Sequence, residues 1–203
     1  MNAAFESGFN RVFDTQRIYR LMLDAMARPG KIMVLPRPEL YPPAGITSYA
    51  AGAAFTLLDG ETTFALLPDS DLPRQYICLN SGSRVEELSR AQFIILDGWV
   101  DFPALAGLCR GDLLFPERGA TLIIMVDAIA EEGGGLRLTL RGPGVDGVRT
   151  LAIKGLCPAN MHRVRELNRE FPLGVDLILT DQNGTLAALP RSCAVDIEGK
   201  VDC

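Results

Sequence analysis

The sequence predicts an α/β fold, a single-domain mixed β-sheet flanked by helices, and three observations support this. Residues 93–96 and 121–126 are continuous apolar runs, which is typical of strands covered on both faces. Helical and strand-like patterns alternate through the first half of the chain. Residues 136–140 instead alternate apolar and polar side chains, which indicates an antiparallel strand with one wetter face.

The length of 203 residues fits one domain, since no linker, repeat or low-complexity tract interrupts it. A chain of this size has room for a core without disulfides or a structural metal. We therefore expect residues 1–203 to form a single α/β domain. It would comprise an N-terminal arm at 1–13, a body at 14–197 and a C-terminal tail at 198–203.

The first half is divided by helix caps, prolines and glycines. Apolar residues at helical spacing follow Asp14, and an alanine-rich stretch follows Ser48. The predicted elements are a helix capped by Asp14 and ended by Pro29-Gly30, a strand at 31–35, a helix from Ser48 to Leu58, strands at 62–67 and near 75–79, a short polar helix from Ser83 to about Arg90, and strands at 93–96 and 121–126.

The second half reads as more antiparallel. The loop Gly142-Pro143-Gly144 permits a hairpin between strands 136–140 and 148–153. Pro158 fits the first turn of a helix that ends before 171–174. Asn183-Gly184 between strands 175–180 and 185–189 is a strong hairpin signal.

Composition excludes several classes of function. The formal net charge of −5 gives no whole-surface attraction for nucleic acid or for an anionic membrane. No run approaches the roughly 18 apolar residues that a membrane span requires, and the N-terminus has no secretory pattern. We therefore expect a cytoplasmic protein. The five scattered cysteines lack metal-ligand spacing, so we expect reduced thiols and no metal site.

Few residues suggest catalysis. The only histidine, His162, lies on a predicted helix beside arginines, where a solvated position is expected. No phosphate-binding loop or dinucleotide motif is present. Lys154 is the one lysine that we consider for Schiff-base chemistry with pyridoxal phosphate, with Asp127 or Asp176 as the carboxylate partner. We nevertheless expect no cofactor.

Arginines beside glycine turns are the candidate anion sites, because a guanidinium and bare backbone N–H groups suit phosphate and phosphonate oxygens. A third candidate is a polar loop that we place at a strand-to-helix junction. The alternative is ordinary turn and capping chemistry with exposed charges. The candidate anion-binding residues are Arg28, Gly30, Asn80, Ser81, Gly82, Arg141, Gly142 and Gly144.

Aromatic side chains in two segments are candidate interface residues. Phe5, Phe9 and Phe13 precede the first predicted helix, where they would dock onto a neighbouring chain or onto the body. Trp99 and Phe102 follow the predicted strand at 93–96. Aromatic residues dominate interface energetics, although core packing is the alternative for this second pair.

Five motifs occur in order along the chain and together resemble one protein family. That family is the H subunit of the bacterial carbon-phosphorus lyase system for phosphonate degradation, and the resemblance extends from about Phe9 to Val195. The motifs are Ala25-Met26-Ala27-Arg28-Pro29-Gly30, Leu57-Leu58-Asp59-Gly60-Glu61-Thr62, Leu140-Arg141-Gly142-Pro143-Gly144-Val145, Phe171-Pro172-Leu173-Gly174-Val175-Asp176 and Ala188-Leu189-Pro190-Arg191.

The resemblance implies a non-catalytic subunit of a multi-subunit core complex. Such complexes convert alkylphosphonates into a ribosylated intermediate, and another subunit breaks the carbon-phosphorus bond at an iron-sulfur cluster. The resemblance also implies a fold similar to the large domain of pyridoxal-phosphate-dependent transferases, without the cofactor, and a homodimer in isolation. Where the family tends to have His-Thr-Gly at a strand end, this sequence has Asn80-Ser81-Gly82, so a titrating role there is not expected.

Three hypotheses follow. The first is an accessory subunit of the lyase core complex, needed for assembly, that binds the other core subunits and retains a weak anion pocket. The second is a free-standing binder or enzyme acting on phosphorylated or phosphonylated small molecules. The third is a pyridoxal-phosphate enzyme. Genomic neighbourhood discriminates them, because an assembly subunit is encoded beside its partners.

Overall fold

The computed structural model describes residues 6–198. In that range the chain forms four α-helices, eleven strands and two 3-10 turns. The helices are α1 (Phe13–Ala27), α2 (Ser48–Leu57), α3 (Asp71–Ser81) and α4 (Pro158–Leu167), and the 3-10 turns are Pro103–Gly107 and Pro116–Arg118. The strands are β1 (Met33–Val34), β2 (Thr63–Leu67), β3 (Arg84–Val85), β4 (Phe93–Asp97), β5 (Thr121–Met125), β6 (Ala128–Ala130), β7 (Leu136–Arg141), β8 (Arg149–Lys154), β9 (Asp176–Thr180), β10 (Thr185–Leu189) and β11 (Ala194–Glu198).

Seven strands form a mixed sheet in the order β1-β10-β9-β5-β4-β2-β3. The strands from β9 to β3 are parallel, and β10 runs antiparallel between β9 and β1. The central residues of β4 and β5 are fully buried, which confirms that these apolar runs are covered on both faces. The mixed α/β class is thereby confirmed.

A second sheet is the main departure from the predicted architecture. Strands β11, β7, β8 and β6 form an antiparallel sheet of their own, so the expectation of one sheet is wrong. The predicted hairpin between β7 and β8 is present, and it pairs Leu140 with Arg149. The leucines of β7 are buried in the core, whereas its two arginines, Arg137 and Arg141, are exposed.

Two apolar layers cover the seven-stranded sheet. On one face, Ile95 and Ile123 pack in a cluster with side chains of α1, α2 and α3. On the other face, Ile94 and Ile124 pack with the second sheet and with α4. The molecule therefore has three layers, and the alternation of side chains along each parallel strand assigns successive residues to opposite clusters.

The segment between β2 and β4 differs from the prediction. We expected a strand near 75–79 and a helix from Ser83 to about Arg90, whereas α3 occupies 71–81 and only the two-residue β3 follows. Gly82 at φ +78° ends α3, because a left-handed residue suits a helix C-cap. The buried residues of α3 have helical spacing, and they are Pro73, Tyr76, Ile77, Asn80 and Ser81. Two of these five, Asn80 and Ser81, are polar.

Most other predicted elements are present with shifted ends. Thr47, and not Ser48, caps α2 by accepting the N–H of Ala50 at 3.1 Å. Asp14 lies inside the first turn of α1 and accepts the N–H of Asn10 at 2.8 Å. The strand expected at 31–35 shortens to β1, because Pro36 ends its pairing.

Candidate functional site

Two of the predicted anion turns lie against each other. Arg28-Pro29-Gly30 follows α1, and Gly142-Pro143-Gly144 follows β7. A Cβ on Gly144 would overlap the carbonyl oxygen of Ala27, and a Cβ on Gly30 would lie 2.9 Å from the Cβ of Arg149. Both glycines have positive φ. The glycines therefore permit close approach of two backbone turns, which is a packing role that the motifs did not reveal.

The arginines of these turns have carboxylate partners. The guanidinium of Arg28 pairs with Asp24 one helical turn earlier, and Lys31 contacts the same carboxylate at 3.0 Å. Arg141 donates to Asp196 of the neighbouring strand β11 at 2.6 Å. An anion at either arginine would have to compete with a carboxylate already held there.

The third predicted anion loop is in a different setting. Asn80, Ser81 and Gly82 form the C-terminal end of α3, and not a strand-to-helix junction. Carbonyl groups face outward at that end and the helix dipole disfavours an anion. Ser81 Oγ donates to the carbonyl of Ile77 at 2.7 Å. The expectation of an anion site at the start of a helix is therefore wrong here.

Asn80 instead secures the N-terminal segment. Its side-chain oxygen accepts the N–H of Glu6 at 2.8 Å, and its backbone oxygen accepts from the guanidinium of Arg11. The hydroxyl of Tyr76 donates to the Glu6 carboxylate at 2.8 Å. Burial and the neighbouring Glu6 raise the pKa of Tyr76 well above its ordinary value. Residues of α3 thus hold the start of the described chain on the body.

A partly buried ion pair joins two of the family motifs. Arg191 donates to Asp176 at 2.5 Å and to the backbone oxygen of Pro116, also at 2.5 Å. Its side chain is only 12% exposed. Asp176 is the first residue of β9, and Arg191 also contacts the backbone oxygen of Gly119, which precedes β5. The ion pair therefore links the amino ends of two central strands to the surface loop that contains Pro116. Sequence reasoning recognised both residues in motifs without seeing that they pair.

The three residues considered for Schiff-base chemistry are not assembled. Lys154 and Asp127 are exposed, and the N–H of Asp127 donates to the backbone oxygen of Lys154 at 2.9 Å. Asp176 pairs with Thr121 at the start of β5, whereas Asp127 follows the end of that strand. The separation is roughly 15 Å or more at the rise of a strand, and Asp176 is occupied by Arg191.

The histidine considered for catalysis is exposed: His162 lies on the surface of α4, as expected. Within residues 6–198, no three His, Cys, Asp or Glu side chains are grouped in a way that could hold a metal ion. No helix in the same range is long and apolar enough to cross a membrane.

The cysteines only partly match the expectation of reduced thiols. Cys78, Cys109 and Cys193 are free. Cys157 is disulfide-bonded, so that expectation is wrong at this position, and Cys203 lies outside the described residues. Burial raises the pKa of the Cys193 thiol to about 11.

The candidate interface aromatics fall into three groups. Phe5 lies outside the described residues. Phe9 is buried in this chain's own core and packs edge-on against Phe55, with ring centroids 6.0 Å apart, and Phe102 is partly buried against the core. Phe13 and Trp99 remain exposed, at 70% and 49%.

Two surface segments that sequence reasoning missed also expose large apolar side chains, at Val34 and at Leu113-Leu114.

These layers and surfaces define a class of protein. It is a three-layer α/β protein whose mixed sheet is covered by helices on one face and by an antiparallel sheet and a helix on the other. Two of its family motifs form turns that pack against each other, and two others are joined by one ion pair.

The family follows from sequence comparison. The sequence model of the family described as "Bacterial phosphonate metabolism protein (PhnH)" matches residues 7–196, and the chain belongs to this family. It is 30% identical over 191 residues to "Alpha-D-ribose 1-methylphosphonate 5-triphosphate synthase subunit PhnH" of Rhizobium meliloti (strain 1021), with 92% of each chain covered. It is 32% identical over 188 residues to "Putative C-P lyase subunit protein HtxG" of Stutzerimonas stutzeri, with 91% of this chain and 87% of that protein covered. The resemblance found from the five motifs is confirmed.

Proposed function

We propose that this protein is an accessory subunit of a bacterial carbon-phosphorus lyase core complex, needed for assembly of the complex in phosphonate catabolism in the cytoplasm. The family match over residues 7–196 carries this proposal. One relative is named as a subunit of an alpha-D-ribose 1-methylphosphonate 5-triphosphate synthase and the other as a putative C-P lyase subunit. Each alignment covers about nine tenths of this chain. In this role the chain has no independent reaction and no cofactor, and its partners are the other core subunits.

The arrangement of side chains supports an assembly role over a free-standing binder. Arg28 and Arg141, the arginines best placed for a phosphonate, are each paired with a carboxylate. Exposed apolar side chains occur at Phe13, Trp99 and Leu114, which suits contact with other chains. We further propose that the isolated chain forms a homodimer, as a single domain over residues 1–203, and that its fold is similar to the large domain of pyridoxal-phosphate-dependent transferases.

Growth on a phosphonate tests the proposed role. Deletion of the gene from its host is expected to abolish growth on methylphosphonate as sole phosphorus source while growth on phosphate continues. Re-introduction of the wild-type gene is expected to restore growth. Unimpaired growth of the deletion strain on methylphosphonate would overturn the proposal.

Calorimetry tests the alternative function. Titration of the isolated protein with millimolar methylphosphonate or phosphate is expected to give no binding heat, because the carboxylates of Asp24 and Asp196 already occupy the two arginines. Saturable binding that is weakened by Arg28→Ala or Arg141→Ala would instead support the free-standing binder.

A further inference from the structure

A groove lies between α1 and the edge strand β1. Its volume is about 720 Å³, and Phe13, Arg17, Arg20 and Val34 are among its lining residues. The side chain of Phe13 is 70% exposed and that of Val34 is 71% exposed. Two large apolar side chains therefore face solvent from opposite walls of one groove.

The groove runs beside an open edge of the seven-stranded sheet. Strand β1 is the outermost strand, and Val34 is paired opposite Thr185 of β10. The N–H of Leu35 donates to the oxygen of Gly184 at 2.8 Å. Hydrogen-bonded and non-hydrogen-bonded pairs alternate in an antiparallel ladder, so the N–H and C=O of Val34 face away from β10. The N–H and the C=O of Val34 can therefore form hydrogen bonds with an extended chain at this edge.

The charges of the groove are of one sign. Among the lining residues that the structure describes, the charged ones are Arg17 and Arg20. In the described part of the chain, no carboxylate lies within ion-pair distance of either guanidinium, whereas Arg28 on the same helix pairs with Asp24. The chain as a whole carries a net charge of −5. Two unpaired arginines beside an apolar floor therefore favour an acidic ligand.

We propose that this groove binds an extended acidic segment of another polypeptide. The segment pairs its backbone with Val34, covers Phe13 and places carboxylates on Arg17 and Arg20. This is strand addition at a sheet edge, a recognised mode of peptide binding, and Pro36 limits the backbone pairing to a short stretch. The inference rests on the proposed function, because the segment is assigned to one of the other subunits of the lyase complex.

Charge reversal tests the groove in the co-expressed complex. The Arg17→Glu/Arg20→Glu variant is expected to fold, since both side chains are exposed and glutamate has a helix propensity close to that of arginine. Its recovery with the other subunits is expected to fall at least tenfold. The control is Arg165→Glu/Arg169→Glu, which makes the same charge change at two exposed arginines, one on α4 and one just after its end, and is expected to co-purify like the wild type.

Failures at different levels are distinguishable. If the wild type co-purifies and the Arg17→Glu/Arg20→Glu variant co-purifies equally, or if the control loses binding to the same extent, the groove is not the binding site although the proposed function stands. If the wild type itself does not associate with the other subunits, the proposed function fails and the inference fails with it.

A photo-crosslinking residue at position 34 identifies the occupant. The expected crosslink joins a peptide of another subunit that is rich in Asp and Glu. A crosslink to a second copy of this chain, or to a segment without acidic residues, would overturn the inference.

Discussion

At the residue scale, the pair between Arg191 and Asp176 joins segments that are distant in the sequence. The guanidinium of Arg191 contacts Asp176, 15 residues away in sequence. It also contacts the backbone oxygens of Pro116 and Gly119, which are 75 and 72 residues away. Removing one partner from a buried pair leaves the other charge without compensation. The motif containing Arg191 is therefore explained by structural need, without invoking a ligand.

Substitution of this arginine is expected to be costly. Arg191→Ala should lower the free energy of unfolding by about 3 kcal/mol, measured by urea denaturation. Arg169→Ala is the control, because Arg169 is 79% exposed and lies 3.9 Å from Glu166, and it should cost less than about 0.5 kcal/mol. Equal effects of the two substitutions would contradict the structural role of the pair.

The buried thiol of Cys193 predicts a pH dependence. Its pKa is raised from 9.0 to about 11 by burial, so the unfolded chain loses this proton at lower pH than the folded chain. The contribution to stability is present below pH 9 and is lost as the pH rises from 9 to about 11. Cys193→Ala should flatten that part of the curve of unfolding free energy against pH. An unchanged slope in the variant would show that Cys193 does not titrate as described.

At the element scale, alanine substitutions at two glycines of the β7–β8 turn separate the effect of its contact with the end of α1 from the effect of backbone conformation. Gly144 and Gly147 both have positive φ, at +78° and +66°, but an added Cβ meets the Ala27 carbonyl only at Gly144. Gly147→Ala should cost about 1 kcal/mol for its backbone conformation. Gly144→Ala should cost about 1–3 kcal/mol more because of overpacking. Equal melting temperatures of the two variants would contradict the close approach of these turns.

Elements with clear periodicity were predictable, and those with mixed signals were not. The runs at β4 and β5 and the Asn183-Gly184 hairpin follow from local sequence. Helix α3 was missed because its buried face includes Asn80 and Ser81, polar residues that a hydrophobic pattern does not count. The second sheet was missed because β11 pairs with β7 across more than fifty residues, and such pairing has no local signal.

The candidate site was predictable in composition but not in arrangement. The motifs suggested Arg28, Gly30, Arg141 and Gly144 as anion-binding residues, and this stays a prediction. The contacts of Arg28, Gly144 and Arg141 with Asp24, Ala27 and Asp196 depend on the tertiary fold. Glycine and arginine beside a turn suit both anion binding and close packing. Sequence spacing alone does not separate these two uses.

At the scale of the whole molecule, the central claim is that the chain acts as part of a complex. Its family match covers residues 7–196, and in the described part of the chain the apolar side chains of Phe13, Val34 and Leu114 are exposed. Such side chains are expected to be buried by other subunits. Assembly is therefore a more direct test than any assay of isolated activity.

The deciding measurement is native mass spectrometry of a tagged copy of this chain, co-expressed with the other subunits of the lyase complex. The account predicts a complex that contains this chain in a fixed ratio to those subunits. The other subunits purified without it are predicted to form a smaller or incomplete assembly. Recovery of the tagged chain alone, with the other subunits fully assembled without it, would contradict the account.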